Sequence, residues 1–132
     1  MTQTKIFVYG MLKAGNRLNH LLEGCPMLYA SWVRRYKIVT EGGICFMVPS
    51  DDPKHAVYGE VYEVNPKTKE LLDYIEQGYA LVSLLGEEWT DVMYYSPVFS
   101  MGELPEIPSE LGAFDYTPEI QFKLLAEARY GH

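Results

Sequence analysis

The stretch from Lys5 to Gly24, KIFVYGMLKAGNRLNHLLEG, constrains this chain more than any other. Four strand-forming residues, Ile6, Phe7, Val8 and Tyr9, run into Gly10 and then into a loop that contains Gly15. A buried strand that empties into a glycine-bearing loop leaves several backbone N–H groups at the end of a sheet. Gly10 lacks a Cβ, so a ligand can approach the main chain there. Successive N–H groups in such a turn form a concavity suited to a carboxylate or a phosphate. The spacing excludes two familiar phosphate loops. GMLKAGN lacks the Gly-Lys-Ser/Thr ending of a Walker loop, and it does not read GxGxxG.

At 132 residues the chain reads as a single domain, residues 1–132, long enough to bury a core. A net charge of −7, with no basic run longer than Arg34-Arg35, argues against nucleic-acid and anionic-membrane partners. A small anion held by local backbone dipoles remains compatible with that charge. Eleven tyrosines suit a strand-rich fold with half-buried surfaces. Cys25 and Cys45 lack CxxC spacing and read as reduced thiols. No basic-then-apolar leader opens the chain and no window has the ~18 apolar residues of a membrane span. The expectation is a soluble, cytoplasmic protein.

Several elements can be placed from pattern. Asn19 to Glu23 forms one helical turn, stopped by Gly24 and Pro26. Tyr29 to Thr40 reads as a strand with its bend at Arg34-Arg35, broken by Gly42-Gly43, and Ile44 to Val48 as a short strand before the turn-rich PSDDPK. Val57 to Val64, VYGEVYEV, places Val57, Gly59, Val61 and Glu63 on one face and Tyr58, Glu60, Tyr62 and Val64 on the other. Both faces mix polar and apolar groups, which suits a central strand or a barrel wall. Asn65 to Gly78 is a helix: Asn65 as N-cap, Pro66 at the first helical position, Gly78 at the left-handed C′ position, and Leu71, Leu72 and Ile75 as its apolar stripe. Tyr79 to Leu85 and Trp89 to Tyr95 alternate about Gly86-Glu87-Glu88 as a hairpin, followed by an irregular Pro-rich crossing from Ser96 to Leu111. Thr117-Pro118-Glu119 opens a second helix to about Arg129.

Glu76 is the residue best placed for chemistry. It lies in the last turn of the first helix, where the partial negative charge of the helix end disfavours a carboxylate. With Ile75 and Tyr79 beside it, partial burial would raise its pKa toward the range of a general base. The plainer reading is a solvated surface glutamate. A Cys25–His20 nucleophile pair is the competing site, although nothing marks that thiol as activated. His20, His55 and His132 make no metal-ligand spacing, and His55 and His132 read as solvent-exposed. Tyr58, Tyr94 and Tyr95 could put hydroxyls into a pocket but suit the core better.

The string FVYGMLKAGNRLNHLL resembles the opening motif of the γ-glutamylcyclotransferase-like family, apolar-Tyr-Gly-Thr/Ser-Leu-Lys/Arg, then Gly, then Asn-His. VYGEVYEV and LLDYIEQGY match the family's second block in the expected order. The resemblance implies an α+β fold, a small, mostly antiparallel β-barrel with packed helices. It aligns Glu76 with the family's catalytic glutamate. Tyr9, Gly10, Met11 and Leu12 align with the substrate-cradling loop, whose amides hold the α-carboxylate of a γ-glutamyl group. Asn19 and His20 align with the Asn-His pair, read as loop bracing. The implied reaction releases 5-oxoproline from a γ-glutamyl amine or amino acid, with no metal and no cofactor. A non-catalytic carboxylate-binding module on the same fold is the alternative. Met11 stands where the family has Thr or Ser, Gln77 intervenes after Glu76, and Leu81 replaces an Arg. These departures bear on the substrate more than on the fold.

Overall fold

The computed structural model describes residues 3–10, 12–16, 18–41, 44–76, 79–86, 89–97 and 113–114. Its strands are β1 (Thr4–Val8), β2 (Met27–Arg34), β3 (Tyr36–Glu41), β4 (Ile44–Pro49), β5 (Ala56–Val64), β6 (Tyr79–Ser83), β7 (Val92–Pro97) and β8 (Ala113–Phe114). A 3-10 turn spans Asn19–Leu22 and a helix, α1, spans Pro66–Ile75. The main sheet runs β2-β5-β1-β7-β6, with β8 also on β5, while β3 and β4 form a separate two-stranded ribbon. Pairs β1–β5, β2–β5 and β6–β7 are antiparallel; β1–β7 and β5–β8 are parallel.

Period-two alternation builds two cores, one on each side of this sheet. Phe7, Val33, Val57, Val61, Val92 and Tyr94 face the ribbon side, where Tyr36, Ile38 and Met47 cover them together with Leu84 and Trp89. Ile6, Val8, Tyr62, Val64 and Tyr95 face the other side, covered by Leu12, Leu22, Cys25 and, from α1, Leu72. With both faces buried, β5 is central, as its mixed pattern implied. Gly59 is required there, because a Cβ would collide with the Phe7 ring and the Val8 carbonyl. The glycine lets β5 close tightly on β1 at the base of the loop that leaves β1.

Four expectations are corrected. The strand read from Tyr29 to Thr40 is two strands in different sheets. Arg35 takes a left-handed φ of 63°, and it is held there by Arg35 N–H donating to the His55 carbonyl at 2.9 Å and Ser50 N–H donating to the Arg35 carbonyl at 2.8 Å. That corner sends β3 into the ribbon, and among the described residues no ladder returns from β6 to β2. The observed sheet is therefore open, not a closed barrel. The apolar stripe of α1 narrows to Leu72, fully buried, while Leu71 and Ile75 are 43% and 40% exposed. Trp89 precedes β7 rather than opening it, with Asp91 at φ 67° between them.

The helix start forms as expected, with Thr68 N–H donating to Asn65 Oδ1 at 2.8 Å and Pro66 in the first turn. The turn at Asn19–Leu22 ends before Gly24, which adopts φ 87°. The expected Gly42-Gly43 break, the Gly78 cap, the crossing beyond Pro97 and the helix from Thr117 to Arg129 lie outside the described residues. No helix among the described residues is long and apolar enough to cross a membrane.

Candidate active site

The loop that follows β1 is tied down through its carbonyls. The Gly10 carbonyl accepts from Lys13 N–H at 3.0 Å and from Asn16 Nδ2 at 2.9 Å. The Leu12 carbonyl accepts from Asn19 Nδ2 at 2.8 Å. Asn19 thus braces the loop, as its alignment implied, and His20 lies exposed. Gly10 does not use a left-handed φ; in this loop that conformation belongs to Gly15, at 83°. Among the described residues other than its chain neighbours, no atom lies within 4 Å of where a Gly10 Cβ would stand, which leaves the main chain there open to approach from them.

The nominated side chains separate between the two faces. The Tyr9 hydroxyl accepts from Met47 N–H at 2.8 Å and its ring stacks on Phe7 at 6.4 Å, so the phenol serves the ribbon side. Any part for Tyr9 in a cradle belongs to its main chain. Leu12 is buried in the opposite core, in one cluster with Leu72 of α1. Glu76 is the C-cap residue one turn beyond Leu72, its N–H donating to the Leu72 carbonyl at 2.8 Å. Leu12 and the face of α1 that leads to Glu76 therefore share one side of the sheet. Met11 lies outside the described residues.

Glu76 is half-buried, and burial pushes its carboxyl above the usual range. Two tyrosines feel its charge. Burial, reinforced by Glu76, raises Tyr79 to about 12. Burial raises Tyr95 as well, helped by its hydrogen bond to Asp73 and by the charges of Asp73 and Glu76. Tyr95 Oη donates to Asp73 Oδ1 at 2.7 Å, and Lys69 Nζ pairs with Asp73 Oδ2 at 2.8 Å. Burial alone would raise Asp73, but the hydrogen bonds from Lys69 and Tyr95 outweigh it and hold the carboxyl below its usual range. Leu81, at the position of the family's Arg, is half-buried against the same core beside Tyr79.

One carboxylate was not picked out by sequence reasoning. Glu60 is only 8% exposed. Its Oε1 accepts from Ala14 N–H at 2.7 Å and from Tyr62 Oη at 3.0 Å, and Tyr62 Oη in turn accepts from Asn19 Nδ2 at 3.1 Å. Burial raises the Tyr62 pKa, with Glu60 adding to the rise and Asn19 opposing it. Lys13, also buried, holds its Nζ 5.3 Å from the centre of the Tyr58 ring. The available signal was alternation: Glu60 shares a face with Tyr62 and Val64 on a strand covered on both sides.

The competing site does not assemble. Cys25 is buried with its Sγ 3.8 Å from Asn65 Nδ2, whereas His20 is exposed. His55 is half-buried rather than exposed, with Nδ1 2.6 Å from Ser50 Oγ. Among the described residues no three His, Cys, Asp or Glu side chains group as a metal site. A groove of about 610 Å³ along β2, lined by Tyr29, Trp32, Arg34, Tyr58 and Trp89, includes neither Glu76 nor the cradle residues.

Comparison with known proteins bears on the fold and the family. A solved structure from Pyrococcus horikoshii, of a protein described as uncharacterized, superposes with a TM-score of 0.68 and 26% identity, covering 98% of this chain and 99% of that one. An AIG2-like protein from mouse gives 0.60 at 24% identity over 87% and 90% of the two chains. In sequence, a P. horikoshii protein named "Putative gamma-glutamylcyclotransferase" is 33% identical over 82 residues, 61% of this chain and 67% of the relative. Residues 6–109 match the family model described as gamma-glutamyl cyclotransferase, AIG2-like, a span that runs from β1 through the loop, Glu60 and Glu76, and the chain belongs to that family of γ-glutamylcyclotransferase-like enzymes.

Proposed function

We propose that the protein releases 5-oxoproline from a γ-glutamyl amine or γ-glutamyl amino acid, with Glu76 as general acid and base. The observation that carries this reading is Glu76 itself: half-buried, its carboxyl raised by burial, one turn beyond the Leu72 that packs in the same core as Leu12. A carboxylate so placed is a stronger base than an exposed one, as general base work requires. Main-chain amides of Tyr9, Gly10, Met11 and Leu12 hold the substrate's α-carboxylate, and the open approach at Gly10 supports that assignment.

Glu76 takes a proton from the α-ammonium group. The freed nitrogen attacks the γ-carbonyl carbon of the same molecule and closes the ring. As the bond from that carbon to the departing nitrogen breaks, Glu76 returns its proton to the departing nitrogen. The ring nitrogen's surplus proton goes with the amine, which leaves as an ammonium ion. Nucleophile and electrophile belong to one molecule, so the main task is to hold it folded, and positioning of that kind can supply ~7–11 kcal/mol. The apolar Leu81 in place of an Arg makes the wall beside Tyr79 less suited to a second carboxylate. In this reading the β3–β4 ribbon, laid over one face of the open sheet, rounds it toward the small barrel of the expected fold, and the protein works in the cytoplasm.

The test is incubation with γ-glutamyl-amines, γ-glutamyl-amino acids and glutathione, with 5-oxoproline as the readout. Product from any of them supports the enzyme. A ligand that binds unchanged, with no product from the whole panel, favours a non-catalytic binding module on the same fold.

A further inference from the structure

We infer that Glu60 is a positioning residue that sets the geometry of the substrate-cradling loop; the inference rests on the cradle reading above. Glu60 sits on β5 directly opposite Val8, the last residue of β1, so its carboxylate stands at the root of the loop. It is nearly sealed from water, at 8% exposure. A carboxylate in that setting is retained only with strong donors.

Two donors converge on a single oxygen. Oε1 takes the Ala14 N–H at 2.7 Å and the Tyr62 hydroxyl at 3.0 Å. The Tyr62 oxygen accepts from Asn19 Nδ2, which also donates to the Leu12 carbonyl. Glu60 therefore grips the loop twice, directly at Ala14 and, through Tyr62 and Asn19, at Leu12. The span between these anchors contains Lys13, and it begins two residues after Gly10, whose carbonyl is held by Lys13 and Asn16. Gly59 allows the close approach of β5 to Val8 that puts Glu60 within reach. Glu60 touches main chain and a tyrosine, not reacting atoms, so its effect falls on substrate binding and not on the proton transfers at Glu76.

Two variants separate acceptor geometry from bulk. Because both hydrogen bonds end on one oxygen, and an amide oxygen carries two lone pairs, Glu60→Gln can keep both. Glu60→Met fills similar space without an oxygen acceptor. The expected result is that Glu60→Met loses amide-exchange protection at Ala14 and raises KM, each on the order of 10- to 100-fold, while kcat changes by less than about threefold. Glu60→Gln should restore both to near parental values. If Glu60→Met does not fold, Tyr62→Phe serves, since it cuts the link from Glu60 to Asn19; it should raise KM with kcat preserved. Unchanged Ala14 protection and KM in Glu60→Met, or unchanged KM in Tyr62→Phe where that variant stands in, would overturn the proposal. So would a Gln variant as impaired as the Met variant. Ala14 exchange needs no turnover, so it reports on Glu60 even if the parent forms no 5-oxoproline, a result that would count against the proposed reaction instead.

Discussion

The Tyr95 hydroxyl on β7 donates to Asp73 Oδ1 on α1 across 2.7 Å, three residues before Glu76. This bond joins the sheet to the helix just ahead of the residue proposed to do the chemistry. Lys69 holds the other Asp73 oxygen at 2.8 Å, so Asp73 is fixed from within the helix and from the sheet. Tyr95→Phe should destabilise the protein by about 1 kcal/mol, the ordinary net value of one hydrogen bond, since partly exposed Asp73 can recruit water. Urea unfolding at neutral pH measures this. The Asp73 pKa is lowered on folding, so its contribution is present above the unfolded value of ~3.9 and is lost as pH falls through the lower folded value. The Tyr95→Phe deficit should accordingly shrink in acid; a deficit that stays constant with pH would mean that the hydroxyl acts elsewhere.

Two glycines should respond in opposite ways. At Gly59 an added Cβ meets the Phe7 ring and the Val8 carbonyl. Gly59→Ala should cost at least ~1–3 kcal/mol through overpacking. At Gly10 the same atom meets no described residue within 4 Å, its chain neighbours aside. Gly10→Val should keep near-parental stability and abolish substrate binding by obstructing the main chain. Thermal unfolding together with ligand titration reads both. A Gly10→Val protein that binds with parental affinity would place the carboxylate site elsewhere.

Much of the framework was legible because local rules and tertiary packing agree. Asn65 caps α1 and Pro66 opens it through contacts within one turn, with Thr68 N–H bonded to Asn65 Oδ1. The mixed faces of VYGEVYEV left a central strand or a barrel wall open, and β5 lies between β2 and β1 in the sheet. What could not be read depends on partners distant in sequence. Nothing around Arg35 shows that it will pair with His55 and Ser50 and turn the chain into a second sheet. The outward position of Leu71 and Ile75 follows from how α1 lies on the sheet, which periodicity alone leaves open. In the proposed site, Glu76 was singled out from its place at a helix end together with the family resemblance. Glu60 was passed over because a lone carboxylate on a strand reads as surface until both faces of that strand are known to be covered. Tyr9 was grouped with the cradle, but its phenol bonds Met47 on the other side of the sheet.

Burial of Glu76 makes a prediction about stability alone. Its pKa is raised on folding, so the stability it contributes is full below the unfolded value of ~4.3 and is lost as pH rises through the folded value. Glu76→Gln imitates the protonated form. The variant should melt close to the parent near pH 4 and above it at neutral pH, with the gap opening as the parent's carboxyl ionises. Scanning calorimetry across that range checks the sign. A variant that is less stable than the parent at neutral pH would show that the ionised carboxylate is favourably held.

The most direct measurement is kcat/KM for 5-oxoproline release against pH, for the parent and Glu76→Gln, on whichever panel compound turns over. The account predicts that the parent loses activity on the acid side as Glu76 takes up a proton, with an apparent pKa above the ordinary glutamate value. It predicts a loss of at least ~100-fold in Glu76→Gln, and no loss on alkylation of Cys25. A Glu76→Gln enzyme within a few-fold of the parent, or a parent silenced by alkylation, would contradict it.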